Sequence, residues 1–355
     1  MIWSANTISP SVNQNRSMYS FFRPLLFKLD PETAHHLTLQ LIRLAGIFPP
    51  SRRILQAVYE APENPVDLFG LHFPNPVGLA AGYDKDGIAL RGLSMLGFGH
   101  IEIGTVTLHP QPGNPKPRVF RLVEDQAVIN RMGFPGKGAD NIEKQLKKKR
   151  PKKLIVGVNI GKNKDTPLEE AASDYVPLLR RFMPLADYLA INVSSPNTVG
   201  LRRLQGREML EGLLKAIARE RVNLASRDGN KTPILVKLAP DLTDEELDDA
   251  LDAILRTGMD GVIVTNTTLA RDRLRSKYRD EAGGLSGAPL RRQSEAILRS
   301  VVIKTNGHLP VVSVGGIMDP TDALVRLDAG AALVQVYTGL VYAGPGLVKQ
   351  IVSKL

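Results

Sequence analysis

Tyr188-Leu189-Ala190-Ile191-Asn192-Val193-Ser194-Ser195-Pro196-Asn197 begins as an apolar run and ends in amides and hydroxyls. A short continuous apolar run reads as a strand buried on both faces. Such a strand could end in a plain Gly/Asp turn. This one ends in hydrogen-bonding side chains with a proline stiffening the turn, a composition suited to holding a polar ligand. Three other runs close in the same way: Val158-Asn159-Ile160-Gly161-Lys162-Asn163, Val236-Lys237-Leu238-Ala239-Pro240-Asp241 and Val264-Thr265-Asn266-Thr267-Thr268. One polar strand end is ordinary, but their repetition points to a shared site.

Working outward, strands are predicted at 77–81, 101–106, 154–160, 188–193, 234–238, 261–266, 311–314 and 333–337. Amphipathic helical patterns separate most of them. The clearest starts at Thr243, with Glu246 completing a capping box and Leu247, Ala250, Leu251 and Ile254 forming the buried stripe. Apolar strands joined by helices require a parallel sheet covered by helices. Eight such units match the size of an α/β fold of the (β/α)8 TIM-barrel kind. An open doubly wound sheet is the alternative, but no Gly-x-Gly-x-x-Gly opens the first unit. The alternating segment 119–130 reads as a hairpin inserted after the second strand.

Three regions follow: a disordered tail over 1–18, a small helical extension over 19–65 and the barrel over 66–355. The tail is polar and lacks both the apolar core of a signal peptide and the arginine content of a transit peptide. Asp30-Pro31-Glu32 starts a helix that carries Ala34, Leu37, Leu41, Leu44 and Ala45 at helical spacing and ends near Gly46. Pro49-Pro50 and Pro62 to Pro65 bracket another. These helices could cap the barrel. Phe21, Phe22, Leu25, Leu26, Phe27 and Leu29 also allow an amphipathic surface that enters a membrane interface.

The chain of 355 residues has no cysteine, which excludes disulfides, thiolate metal sites and a cysteine nucleophile. The six histidines show no metal-ligand spacing, so no metal is assigned. A net charge of +10 favours anionic partners. The basic run Lys147-Lys148-Lys149-Arg150-Pro151-Lys152-Lys153 lacks interleaved aromatics and reads as a solvated helix end, with no nucleic acid implied.

In a barrel the C-terminal strand ends converge on one mouth. There Asn130, Asn159, Asn192, Asn197 and Asn266 offer neutral donor–acceptor pairs suited to a ring with amide-like edges. Lys85 and Lys237 offer positive charge to a carboxylate or a developing anion. No carboxylate pair and no Ser-His-Asp set presents itself. Val314-Gly315-Gly316-Ile317 and Tyr337-Thr338-Gly339 follow the last two strands, where barrels commonly hold a phosphate on backbone N–H groups.

From Tyr19 onward the chain resembles the membrane-associated, quinone-reducing class 2 of the dihydroorotate dehydrogenases. The resemblance is carried by Phe27-Lys28-Leu29-Asp30-Pro31-Glu32-Thr33-Ala34-His35, Gly78-Leu79-Ala80-Ala81-Gly82-Tyr83-Asp84-Lys85-Asp86-Gly87 and Ile101-Glu102-Ile103-Gly104-Thr105-Val106-Thr107. It continues through Gln111-Pro112-Gly113-Asn114-Pro115-Lys116-Pro117-Arg118, Asn130-Arg131-Met132-Gly133-Phe134, Asn159-Ile160-Gly161-Lys162-Asn163 and Ser194-Ser195-Pro196-Asn197. Thr265-Asn266-Thr267-Thr268, Gly283-Gly284-Leu285-Ser286-Gly287 and Gly315-Gly316-Ile317 complete it.

The resemblance implies FMN-dependent oxidation of dihydroorotate to orotate in pyrimidine synthesis, with a membrane quinone as electron acceptor. It makes Ser195 the base at C5 while a hydride leaves C6 for flavin N5, with Thr198 as relay and Lys237 beside flavin N1. Cytosolic members use a cysteine there, and this chain has none. Carried over by motif, FMN is held by Ala81, Gly82, Lys85, Thr105, Asn159, Asn192, Lys237, Thr265, Gly287, Gly316, Tyr337 and Thr338. The substrate is held by Lys85, Asn130, Arg131, Met132, Gly133, Phe134, Asn192, Asn197, Asn266 and Thr267. The helical extension becomes a quinone tunnel and membrane-docking element. This implies a peripheral protein on the cytoplasmic face of the cell membrane, in preference to the mitochondrial inner membrane. Two rival readings are an FMN barrel acting on another dihydropyrimidine, and a basic binding protein that has lost catalysis. The choice of quinone, the oligomeric state and the role of residues 1–18 are not written in these motifs.

Overall fold

The buried runs close on themselves. In the computed structural model, which describes residues 18–355 apart from 149, 152 and 230, thirteen strands follow one another along the chain. They are β1 Val66–Leu68, β2 Leu71–Phe73, β3 Val77–Leu79, β4 His100–Val106, β5 Val119–Leu122, β6 Ala127–Asn130 and β7 Ile155–Ile160. The rest are β8 Tyr188–Asn192, β9 Ile234–Leu238, β10 Gly261–Val264, β11 Gly284–Gly287, β12 Val311–Val314 and β13 Leu333–Val336. A closed parallel barrel runs in the order β10, β12, β13, β3, β4, β7, β8, β9 and back to β10. Its strands are the eight predicted ones, with β3, β8, β10 and β13 ending one or two residues earlier than expected. The expected hairpin exists as β5–β6, and β11, which was not anticipated, joins it as a third antiparallel strand. A further unforeseen hairpin, β1–β2, lies against the N-terminal end of the barrel, where Phe73 meets His100 edge-on at 5.4 Å between centroids.

The helical extension consists of α1 Met18–Lys28, α2 Pro31–Ile47 and α3 Pro49–Tyr59. Asp30 caps α2 by accepting the Thr33 N–H, as its sequence position foretold. The capping box of Thr243 and Glu246 opens helix Asp244–Arg256. Met18 already belongs to α1, and the remainder of the expected tail lies outside the described residues. In the basic run, Lys147, Arg150 and Lys153 pair with Glu143, Asp187 and Glu63.

The barrel interior is polar where it would ordinarily be aliphatic. Glycine at two inward positions makes this possible. A Cβ on Gly78 would lie 2.0 Å from the His100 ring, and one on Gly157 would lie 2.1 Å from the Tyr188 ring. With those rings accommodated, Tyr188 can direct its hydroxyl at the buried Glu102 carboxylate, 3.1 Å away.

The extension is joined to the barrel by buried polar contacts. Arg118 grips Glu32 of α2 through two nitrogens, at 2.8 and 3.2 Å, with both side chains largely removed from water. Burial alone would raise the Glu32 carboxyl, but hydrogen bonds and charge from Arg118, with Lys116, hold it below its ordinary value. Arg121 stacks over Phe27 at 4.2 Å, and Tyr19 of α1 donates to the Val341 carbonyl at 2.6 Å. A lowered folded-state pKa contributes stability above the unfolded value of about 4.3, and that stability disappears as pH falls. Arg118→Ala, which leaves a buried carboxylate unpaired, should cost about 3–5 kcal/mol in urea unfolding at neutral pH. The gap between variant and parent should narrow in acid; a gap independent of pH would refute the pairing as its source.

Candidate active site

At the C-terminal mouth, strand ends that are far apart in sequence face one cavity of about 520 Å³. Ala81, Gly82 and Lys85 follow β3, and Thr105 lies on β4. Asn192 ends β8 and Lys237 lies on β9, while Thr265, Asn266 and Thr267 follow β10. Gly316 follows β12, and Tyr337 and Thr338 follow β13. The antiparallel sheet supplies Asn130 and Gly287, and adjoining loops supply Met132, Gly133, Phe134, Ser195 and Asn197.

Three of the predicted residues do not reach the cavity wall. Asn159 is fully buried one layer beneath it, bonded to Thr105, Asn192 and Glu102. Thr198 is buried, and its hydroxyl has no hydrogen-bond partner among the described residues. The Arg131 side chain turns outward, paired with Glu281 at 2.7 Å and stacked over Phe120 at 4.6 Å.

The loop with the Ser-Ser-Pro-Asn motif is held from both sides. Asn114 donates its amide to the carbonyls of Arg131 and Asn197, each at 3.0 Å, and Asn197 donates to Asn130 at 3.1 Å. Ser195 is nearly buried, and its Oγ accepts the backbone N–H of Asn197 at 3.2 Å. A donor fixed on that oxygen favours negative charge developing there.

Lys85 is half-buried and donates to the Gly82 carbonyl at 2.6 Å. Burial pulls its ammonium down to about 8, partly opposed by the charge of Glu32. Its loop is set by Asp84, which accepts the N–H groups of Ile88 and Ala89 at 2.9 and 2.8 Å. Lys237 lies 3.6 Å from Glu102.

After β12, Gly316 has φ +74, and a Cβ there would lie 2.3 Å from Arg291, so the turn can carry no side chain. Gly315, Gly287 and Gly339 also line this end of the cavity. Ser286 and Thr338 share a hydrogen bond of 2.8 Å beside it. Such bare backbone is suited to a phosphate, and the amides nearby to a polar heterocycle.

The cavity continues into the helical extension, where Leu26, Thr38, Leu41, Ala45 and Leu55 line it. His35 meets Tyr83 edge-on at 5.0 Å and Tyr83 meets Tyr337 at 5.7 Å, which links α2 to the mouth. Burial first, then the charges of Lys85 and His36, push His35 down to about 3, so it is neutral. The surface of α1, α2 and α3 is apolar: Phe21, Phe22, Leu25, Leu41, Leu44, Phe48 and Ile54 are all exposed. Among the described residues no helix is long and apolar enough to cross a membrane, and no cluster of acidic or histidine side chains could hold a metal.

Sequence reasoning overlooked Glu102, Gln335, Tyr83, Arg121 and Ser286. Glu102 and Gln335 carried a signal, being polar residues flanked on both sides by aliphatic ones within strands. Ser286 carried no strand signal, because the short β11 with its two glycines has no alternating pattern, and only its place in the Gly283–Gly287 motif marked it.

A family model described as dihydroorotate dehydrogenase matches residues 65–355. The chain is 50% identical over 342 residues to the dihydroorotate dehydrogenase (quinone) of Acidithiobacillus ferrooxidans, covering 95% of this chain and 94% of that one. It is 47% identical over 336 residues to the protein of the same name from Aromatoleum aromaticum, covering 94% of each. Among solved structures, the DHODH of Eimeria tenella in complex with ferulenol superposes with a TM-score of 0.84 at 41% identity, over 91% of this chain and 90% of that one. On sequence and architecture alike, the chain belongs to the dihydroorotate dehydrogenase family.

Proposed function

We propose that the protein is a quinone-dependent dihydroorotate dehydrogenase of pyrimidine biosynthesis that uses FMN. One observation carries this reading: Ser195, Lys85 and a set of neutral amides share a cavity that continues as an apolar passage to an exposed apolar face.

The residues present fit FMN. Gly315, Gly316 and Gly339 with Thr338 suit its phosphate, and Asn192, Lys237 and Thr105 suit the polar edge of its ring. The buried Thr265 hydroxyl, which has no hydrogen-bond partner among the described residues, also lines the cavity. When bound, FMN supplies the acceptor for a hydride from C6 of the substrate.

The remaining chemistry belongs to the chain. Lys85 offers an ammonium to the substrate carboxylate, and Asn130, Asn197, Asn266 and Thr267 offer amide and hydroxyl groups to the pyrimidine ring. Ser195 Oγ takes the C5 proton. A serine is a weak base at its free pKa, and two features offset this. The Asn197 N–H supports negative charge on Oγ, and the unpartnered Thr198 hydroxyl, three residues on, is available to relay the proton. The passage along His35, Tyr83 and Arg121 admits the quinone from the apolar side. The exposed apolar face of α1, α2 and α3 seats the protein peripherally on a membrane, on its cytoplasmic side.

The purified protein should be yellow, and dihydroorotate should bleach it anaerobically. Ser195→Ala should slow that bleaching at least 100-fold while FMN stays bound; stopped-flow absorbance that finds normal reduction would remove Ser195 as base.

Because Lys85 loses its charge above about pH 8 in the free protein, the KM for dihydroorotate should climb toward tenfold per pH unit beyond that point. A KM that stays level to pH 10 would exclude Lys85 as the carboxylate partner.

Replacing exposed Phe21 and Leu25 together with Asp should leave dihydroorotate bleaching unaltered and lower turnover with vesicle-borne quinone at least tenfold. Equal rates with vesicle-borne and water-soluble quinone would argue against the docking face.

A further inference from the structure

Glu102 lies under the cavity, not on its wall, and its side chain is wholly removed from solvent. Its oxygens accept from Asn159 Nδ2 at 2.8 Å, Gln335 Nε2 at 2.9 Å and the Tyr188 hydroxyl at 3.1 Å, with Lys237 Nζ at 3.6 Å. A carboxylate can only accept, so Asn159 is obliged to turn its NH₂ downward and its carbonyl upward. That carbonyl then accepts from the Thr105 hydroxyl at 2.6 Å and from Asn192 Nδ2 at 3.1 Å. Thr105, having donated its proton, accepts from Asn192 Nδ2 at 2.8 Å. Asn192 is left with its carbonyl facing Asn266 Nδ2 at 3.3 Å and the Ser194 hydroxyl at 3.3 Å. Each amide has two possible orientations in isolation. One buried charge selects a single orientation for the whole series.

The same charge acts on Lys237. In a low-dielectric interior the pair attracts strongly, so the positive field that Lys237 projects into the cavity is reduced by the carboxylate beneath it. We propose that Glu102 is a positioning residue, which fixes the donor–acceptor sense of the Asn159–Thr105–Asn192 series and offsets the charge of Lys237, thereby lowering the potential of the group bound above. The inference rests on the reading that this group is FMN. It does not require a particular pose, since it needs only that Lys237 faces the cavity.

The test is the two-electron midpoint potential of the purified, FMN-loaded protein, measured anaerobically with reference dyes for the parent, Glu102→Gln and Tyr188→Phe. Glu102→Gln removes the charge at constant shape, so the flavin should become at least tenfold easier to reduce, an upward shift of about 30 mV or more. FMN should also bind the apoprotein of this variant at least tenfold more weakly, because a neutral amide in place of the carboxylate no longer dictates the orientation of Asn159. Tyr188→Phe keeps the ring packed against Gly157 but removes a donor from the carboxylate. That strengthens the carboxylate's pull on Lys237, and the shift should reverse, to about threefold or 14 mV downward. Opposite signs would not arise from general damage to the core.

A Glu102→Gln potential within twofold of the parent, about 9 mV, overturns the inference. If Glu102→Gln fails to fold, a Tyr188→Phe potential that is unchanged or raised overturns it instead. A parent protein that takes up no FMN would overturn the underlying reading, and that outcome is visible before any variant is made.

Discussion

A negative charge inside a closed barrel is costly unless the surroundings supply donors on every side. Much of this molecule's interior follows from meeting that condition for Glu102. Asn159, Gln335, Tyr188 and Lys237 come from four different strands and can meet only because the sheet closes. Tyr188 needs the space left by Gly157, and His100 beside it needs the space left by Gly78. Barrel interiors of this class are usually filled with branched aliphatics. Here the aliphatic filling is displaced toward the N-terminal end, where Phe73, Leu235, Ile263 and Leu333 pack together. The upper layers are left polar, and the mouth inherits a fixed pattern of donors and acceptors.

The second structural theme is continuity between the mouth and the helical extension. Neither unit encloses the cavity alone. The barrel supplies the polar floor, and α1 and α2 supply an apolar wall. The Glu32–Arg118 pair holds α2 against the loop that also carries Asn114. Since Asn114 in turn holds the carbonyls of Arg131 and Asn197, the attachment of α2 and the shape of that side of the cavity share one set of hydrogen bonds. Displacement of α2 would therefore be felt at the loop bearing Ser195. This offers a physical reason for such a strong buried pair at a junction that apolar packing could have made by itself.

Much of the architecture was legible in the chain because its signals are local. A fully buried parallel strand must be continuously apolar, so the barrel strands announced themselves, and 234–238 and 311–314 matched residue for residue. The Asp30 cap and the Thr243–Glu246 box depend on side chains within one helical turn, and both formed as read. What went unseen lacked a local pattern. Strands β1 and β2 are three residues each and were absorbed into loops. Strand β11 exists only because β6 lies beside it. Arg131, within a motif that suggested substrate contact, instead turns to Glu281, 150 residues further along the chain.

The sequence alone determined the (β/α)8 plan, the polar strand ends, the glycine turns after the last two strands, and the absence of any thiol. These depend on composition and on spacing along the chain, which folding cannot alter. Only the tertiary structure decided that Asn159 lies beneath the wall, that Arg131 faces away, that α2 is fastened through Glu32, and that Glu102 governs the amides above it. Those are relations between residues dozens to hundreds of positions apart. Closure of the barrel sets their distances and directions, and no window of sequence contains both partners.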